Sequence, residues 1–250
     1  MADSRFADTD VVVPVAVRSV ARGGEVEPVW LSGDQGVTFR IHGASVRYVK
    51  WRPGPVSGSL EGEARRLAWA GKFVAVPEVV EYGADDSGAW LVTAGIPGES
   101  AISSRWKADP GTAVRVAGFG LRRLHDRLPV DECPYDWSVE ARRQQIHPSK
   151  LGDRRLSENI PDPDRLVVCH GDACVPNTLI ADDGTFVGHV DLGDLGVADR
   201  WADLAVATWS TEWNYGPGWA DLYLESYGIE PDHDRIRFYR DLWDLVHPVN

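Results

Sequence analysis

At 250 residues, 43% apolar and 26% charged, the chain is long enough for one large domain or two lobes and has an ordinary globular composition. A net charge of -12 and a pI near 5.0 argue against nucleic-acid binding, which asks for a basic field, and suit a cationic partner instead. No apolar run reaches the ~20 residues of a spanning helix, the polar start Met1–Phe6 shows no secretory core, and Cys133, Cys169 and Cys174 lack the number and spacing of a disulfide frame or zinc site. A cytoplasmic protein without membrane or nucleic-acid partners is expected.

In chain order, Met1–Asp10 is expected to be disordered. Val11–Val17 and Glu27–Leu31 are short apolar runs rich in β-branched residues, and Val37–Ile41 and Val46–Trp51 alternate like strands, so a β-meander with tight turns is predicted. The turn from Ser32 to Gly36 is small and polar. It suits either a plain hairpin or a backbone cradle for phosphate oxygens. Lys50 stands near the end of the second alternating run. Leu60–Ala70 has helical period, with Leu60, Ala64, Leu67 and Ala68 apolar and Glu63 one turn in. Val74–Gly83 and Ala89–Thr93 read as strands joined by a turn at Asp85–Gly88.

After Ala94-Gly95-Ile96-Pro97-Gly98, the stretch Thr112–Leu128 is amphipathic, with Val116, Ala117, Phe119, Gly120, Leu121, Leu124 and Leu128 apolar. His125 within it is expected to be a buried, hydrogen-bonded histidine rather than a base. Cys133–Asp136 is a turn. The polar stretch from Ser138 to Arg165 carries Pro148, Gly152, Pro161 and Pro163.

Two apolar runs of strand length, Leu166–Cys169 and Val187–Val190, lead to Asp172 and Asp191. Asn177 follows Asp172 after five residues, and Asp191 after 19. Three oxygen-bearing side chains on adjoining loops suit one carboxylate that positions a hydroxyl nucleophile, and a carboxylate plus an amide oxygen that hold magnesium on a triphosphate. Cys174 beside them has no paired base and is read as a small filler. Asp203 is expected to open or brace a helix through backbone N–H groups near its start. Trp219–Tyr227 and Asp232–Leu245 have helical period. Trp213 and Trp243 are candidates for lining an acceptor site.

His170-Gly171-Asp172…Asn177 resembles the catalytic loop of kinase-like small-molecule phosphotransferases, and Asp191-Leu192-Gly193 resembles the Asp-Phe-Gly segment. The longer strings His170–Asn177 and Asp191–Arg200 are most similar to the aminoglycoside 3'-phosphotransferases, and Leu121-Arg122-Arg123-Leu124-His125 matches that family's Leu-x-x-Leu-His signature. The resemblance covers nearly the whole chain. It implies an α+β, bilobal, protein-kinase-like fold, with an antiparallel-sheet N-lobe (1–95) and a mainly helical C-lobe (96–250), the nucleotide lying between them. It implies transfer of the γ-phosphate of ATP or GTP, with Mg2+, to a hydroxyl of a small cationic acceptor, most simply an aminoglycoside, by a monomer or homodimer. Asp172 would be the catalytic base. Asn177 and Asp191 would be the metal ligands. Lys50 would hold the α- and β-phosphates and Glu63 would orient Lys50. Ser32 would lie at the phosphates, and the backbone of Ala94 and Ile96 would pair with the purine.

The acceptor side matches the family less well. Asp244 fits one acidic position near the carboxyl terminus. Trp243 replaces another, and Asp194 stands where the family usually carries arginine. Asp244 and Asp194 are therefore the acceptor candidates. The insertion between Ser138 and Arg165 is shorter than usual. The alternatives are a kinase for another hydroxylated metabolite or antibiotic, a non-catalytic nucleotide scaffold, and a dinuclear metallohydrolase built on the His-x-Asp pairs His170/Asp172 and His189/Asp191.

Overall fold

The computed structural model describes residues 11–32, 35–54, 57–146, 157 and 159–246. The expected disorder at Met1–Asp10, the tip of the turn at 33–34, and most of the stretch around Pro148 and Gly152 lie outside the described residues. Two compact units divide between Pro97 and Gly98, two residues beyond the boundary read from sequence.

The first unit carries an antiparallel sheet of β1 (Glu25–Leu31), β2 (Val37–His42), β3 (Arg47–Pro53), β4 (Val79–Asp85) and β5 (Gly88–Ala94), ordered β1-β2-β3-β5-β4. Alternation in β2 sends Val37, Phe39 and Ile41 to one face. There they bury with Val49, Val92 and the residues Val17, Val20 and Ala21 of helix α1 (Val15–Ala21). The Val11–Val17 run was expected as strand. Instead the chain is extended at Pro14 (φ -61, ψ 153) and helical from Val15, because a one-sided set spaced like Ala16, Val17, Val20 and Ala21 covers a sheet better as a helix than as a strand. Likewise β4 starts at Val79, not Val74. Pro77 lacks a ladder donor and restrains the residue before it.

Lys50 is out of phase with Val49 and so projects from the opposite face, the side of α2 (Ser57–Ala70). Leu60, Ala64, Leu67 and Ala70 bury on that helix. Ala68, expected with them, is exposed, and Glu63 shares the buried stripe.

The second unit holds six described helices: α3 (Ser104–Ala108), α4 (Pro110–Arg127), α5 (Val139–Arg143), α6 (Trp201–Tyr215), α7 (Ala220–Tyr227) and α8 (His233–Val246). Between α5 and α6 run β7 (Leu166–Cys169), which pairs antiparallel with β10 (Gly196–Asp199), and β8 (Thr178–Ile180), which pairs with β9 (Phe186–His189) and with the short β6 (Glu99–Ser100). Asp109 caps α4 by accepting from Thr112 N–H at 3.2 Å, with Pro110 in the first turn. Ala113, Ala117, Leu121 and Leu124 bury along α4, whereas Phe119, expected among the apolar positions, is 52% exposed. Helix α6 is buried continuously from Trp201 to Thr208, the pattern of a central helix.

Candidate active site

The site of the second unit is built around the turn that ends β7. Gly171 has φ 91, and a Cβ there would overlap the main chain of Asp194. Only glycine allows both the left-handed backbone and that close approach. The turn is held from behind by Asp203 of α6. Its carboxylate accepts from His170 N–H at 2.6 Å, Gly171 N–H at 3.0 Å and His125 Nε2 at 2.9 Å. His125 also meets the Tyr227 hydroxyl through Nδ1 at 2.8 Å. Burial pushes the Asp203 carboxyl up, but the His125 hydrogen bond and the charges of His125 and His170 outweigh it, leaving its pKa below the ordinary value. Asp203 is thus structural, as expected, but the N–H groups it satisfies belong to the β7 turn rather than to its own helix. The side chain faces that turn from the first turn of α6. His125 is buried with both ring nitrogens engaged, as read from sequence.

Two hydrogen-bonded loops carry the candidate chemistry. His170 Nε2 lies 3.0 Å from Val190 C=O, and Asp172 N–H donates to His170 Nδ1 at 3.3 Å, which assigns the ring proton to Nε2. Asn177 Nδ2 donates to Asp172 C=O at 2.9 Å, and Val190 N–H donates to Asn177 C=O at 3.0 Å. With Nδ2 spent, Asn177 keeps Oδ1 as an acceptor. Asp191 has φ 65, a left-handed conformation that an aspartate holds at a cost of about 1 kcal/mol or more. Asp172, Asn177 and Asp191 therefore share one frame of neighbouring loops, each half-buried. An amide oxygen and a carboxylate are the hard donors that magnesium takes, so the set fits that ion.

Burial pushes the Cys174 thiol up, as do the charge and hydrogen bond of Asp172. It stays a protonated filler at neutral pH, as the sequence suggests. Asp194 adjoins the turn through its packing on Gly171. Asp244 sits half-buried on α8 beside Trp243. Trp243 is only 8% exposed, 6.0 Å from the Arg142 guanidinium, and belongs to the core. Trp213 is 49% exposed.

In the first unit, Lys50 Nζ donates to Glu63 Oε1 at 2.6 Å. The Ser32 hydroxyl donates to Gly36 C=O at 3.0 Å, so its donor is spent inside the hairpin turn. Ala94 N–H is spent on Glu78 C=O at 2.8 Å, and Ile96 lies past the last residue of β5. Tyr48 was not singled out from sequence. It shares the face of Lys50 by the two-residue period, and a Cβ on Gly95 would stand 3.2 Å from its ring. An aromatic two residues before Lys50 was the available signal.

The His-x-Asp pairs do not form a dinuclear centre. Both nitrogens of His170 are engaged, and His189 is buried, its pKa pushed down to about 3 by burial first and by the neighbouring His170 second. Among the described residues, one set of His, Cys and Asp side chains has ligand atoms within 4.8 Å of each other, namely His125, Cys169 and Asp203. Hydrogen bonds within the protein already occupy all three. No helix among the described residues is long and apolar enough to cross a membrane.

Residues 31–239 match the model of the phosphotransferase enzyme family. An aminoglycoside 3'-phosphotransferase of Streptomyces fradiae is 40% identical over 210 residues, 72% of this chain and 77% of the relative. A streptomycin 3''-kinase of Streptomyces griseus is 36% identical over 258 residues, 87% of this chain and 92% of the relative. The structure of an aminoglycoside phosphotransferase of Streptomyces rimosus in complex with ADP and streptomycin superposes with a TM-score of 0.72 at 26% identity, over 94% of this chain and 99% of that one.

Proposed function

Because the chain belongs to the phosphotransferase enzyme family, we propose that it transfers the γ-phosphate of ATP or GTP, with Mg2+, to a hydroxyl of an aminoglycoside. The observation that carries this reading is the lacing of the two loops: Asn177 Nδ2 on Asp172 C=O and Val190 N–H on Asn177 C=O. It supports a base and two metal-ligating oxygens held in register, and phosphoryl transfer depends chiefly on positioning and charge stabilisation.

Asp172 orients the acceptor hydroxyl and takes its proton as the bond to the γ-phosphorus forms and the bond from that phosphorus to the β,γ-bridging oxygen breaks, releasing the nucleoside diphosphate. Asn177 Oδ1 and Asp191 would hold magnesium, and that ion would supply positive charge against the phosphates. Lys50 binds the α- and β-phosphates, and the 2.6 Å hydrogen bond it donates to Glu63 fixes its ammonium. Ala94 offers the purine edge its carbonyl, since its N–H is committed. Ile96 offers an N–H, and Tyr48 stacks on the base. Ser32 contributes turn geometry rather than a donor. Asp194 and Asp244 supply negative charge for ammonium groups, consistent with the excess of acid in the whole chain.

The relatives support an aminoglycoside acceptor but differ in the hydroxyl their names specify, 3' in one and 3'' in the other. An ADP-release assay across aminoglycosides, macrolides and choline-like alcohols, with mass analysis of the product, tests the proposal. Aminoglycoside-dependent ADP release that disappears in Asp172→Asn, with nucleotide binding retained, is the expected result. Full activity of Asp172→Asn would refute the assignment.

A further inference from the structure

We propose that the indole pair on α6 formed by half-buried Trp209 and exposed Trp213 is an aromatic wall of the acceptor site, receiving the cationic ring of the amino sugar beside Asp172. The inference rests on the phosphotransferase reading and narrows its acceptor side. Four observations lead to it.

Helix α6 is tied directly to the base loop. Ser210 Oγ accepts from Val175 N–H at 3.0 Å, and Asn214 Nδ2 braces the same hydroxyl at 3.2 Å. The Cys174 thiol is hydrogen-bonded to both Ser210 and Asp172. One small side chain therefore separates the helix from the base. At about 100° per residue, Trp209 and Trp213 lie about 100° and 60° from Ser210, both to the same side of it. The pair flanks the face that meets the loop.

The two rings are packed on each other, with centroids 4.9 Å apart and planes tilted by 44°. Yet Trp213 keeps 49% of its surface exposed. A large aromatic left this open beside catalytic machinery marks a contact surface better than a packing residue. The pair also already holds a planar cation. The Arg240 guanidinium lies 5.3 Å over Trp209, fixed by Ala205 C=O and Thr208 Oγ1 at 3.2 Å each and by Glu212 at 3.6 Å. The outer face of Trp213 offers the same chemistry to an ammonium or guanidinium group on a ligand.

Steady-state kinetics and tryptophan fluorescence test the wall, using Trp213→Leu and Trp213→Phe with Phe119→Ala as a surface control. Trp213→Leu should raise KM for the aminoglycoside about 2- to 30-fold, the range a cation–π contact spans. KM for ATP should stay within about twofold. Trp213→Phe should recover part of the loss, because a ring face remains. Streptomycin added without nucleotide should quench the parent emission more than that of Trp213→Leu. An unchanged acceptor KM in Trp213→Leu overturns the proposal. So does conversion of a dimer to a monomer by that substitution, which would make the pair a contact between copies. If the parent phosphorylates no aminoglycoside, the functional reading fails, and the quenching difference then decides the wall by itself: its presence supports the wall and its absence overturns it.

Discussion

Glu63 is 4% exposed and lies on the apolar stripe of α2, where Lys50 meets its charge at 2.6 Å. Removing one member of a buried pair strands the other, at a cost of about 3 kcal/mol. Lys50→Met should therefore lower stability by that order as well as weaken ATP binding, measured by urea unfolding and nucleotide titration. Lys50→Met combined with Glu63→Leu should recover most of the stability and none of the ATP affinity. If the double variant bound ATP normally, Lys50 would have no role at the phosphates. The same scale shows what sequence could reveal of the site. Asp172 and Asp191 are legible because each follows a strand-length apolar run, and Asn177 because it stands five residues after Asp172; all three carry the oxygen that the proposed chemistry needs. Asp203 and Ser210 meet the catalytic loop from 33 and 35 residues away, and no local spacing announces such a contact. Tyr48 lay within reach of the two-residue period but outside any motif.

Helices α4 and α7 approach most closely at Gly118, where an added Cβ would stand 2.5 Å from Tyr223 C=O. Backbone cannot yield as a side-chain tip can, so Gly118→Ala should force the helices apart and cost about 1–3 kcal/mol. A thermal melt measures this. An unchanged melting temperature would mean that α7 moves freely, and the hydrogen bond from Tyr227 to His125 would then be a weak brace on the β7 turn. Long periodic elements such as α2 and α4 were legible because helix period persists over several turns. The short ones were not. Val11–Val17 contains β-branched residues that suit a strand, yet its last two residues, Ala16 and Val17, share one buried helical face with Val20 and Ala21. Phe119 illustrates the opposite error: an apolar residue inside an amphipathic helix that stays 52% exposed, since apolar character permits burial without requiring it.

The whole chain carries a charge of -12, and that field acts on both substrate capture and pH response. A cationic acceptor should be drawn to it, so kcat/KM for an aminoglycoside should fall as salt rises from 50 to 300 mM, while a neutral acceptor shows no such trend. Acid unfolding follows from Asp203. Its folded pKa lies below the ordinary value, its burial being outweighed by the His125 hydrogen bond and by the electrostatic pull of the His125 and His170 side chains, whereas the unfolded carboxyl titrates at about 3.9. As pH falls into that range the unfolded chain takes up the proton first and stability declines. The contribution is complete above the unfolded pKa and is lost as pH falls through the folded one. Asp126 and Asp164, also lowered although burial raises each of them, act in the same direction through their arginine partners. Asp199 acts in the opposite direction, because burial raises its carboxyl, and acid relieves its charge. Asp203 should dominate because its carboxylate holds the β7 turn by two N–H groups. Asp203→Asn should melt lower at pH 7 and lose less stability than the parent between pH 5 and 3.5. Parallel melting curves for the two proteins across that range would show that the charge on Asp203 does not hold the turn.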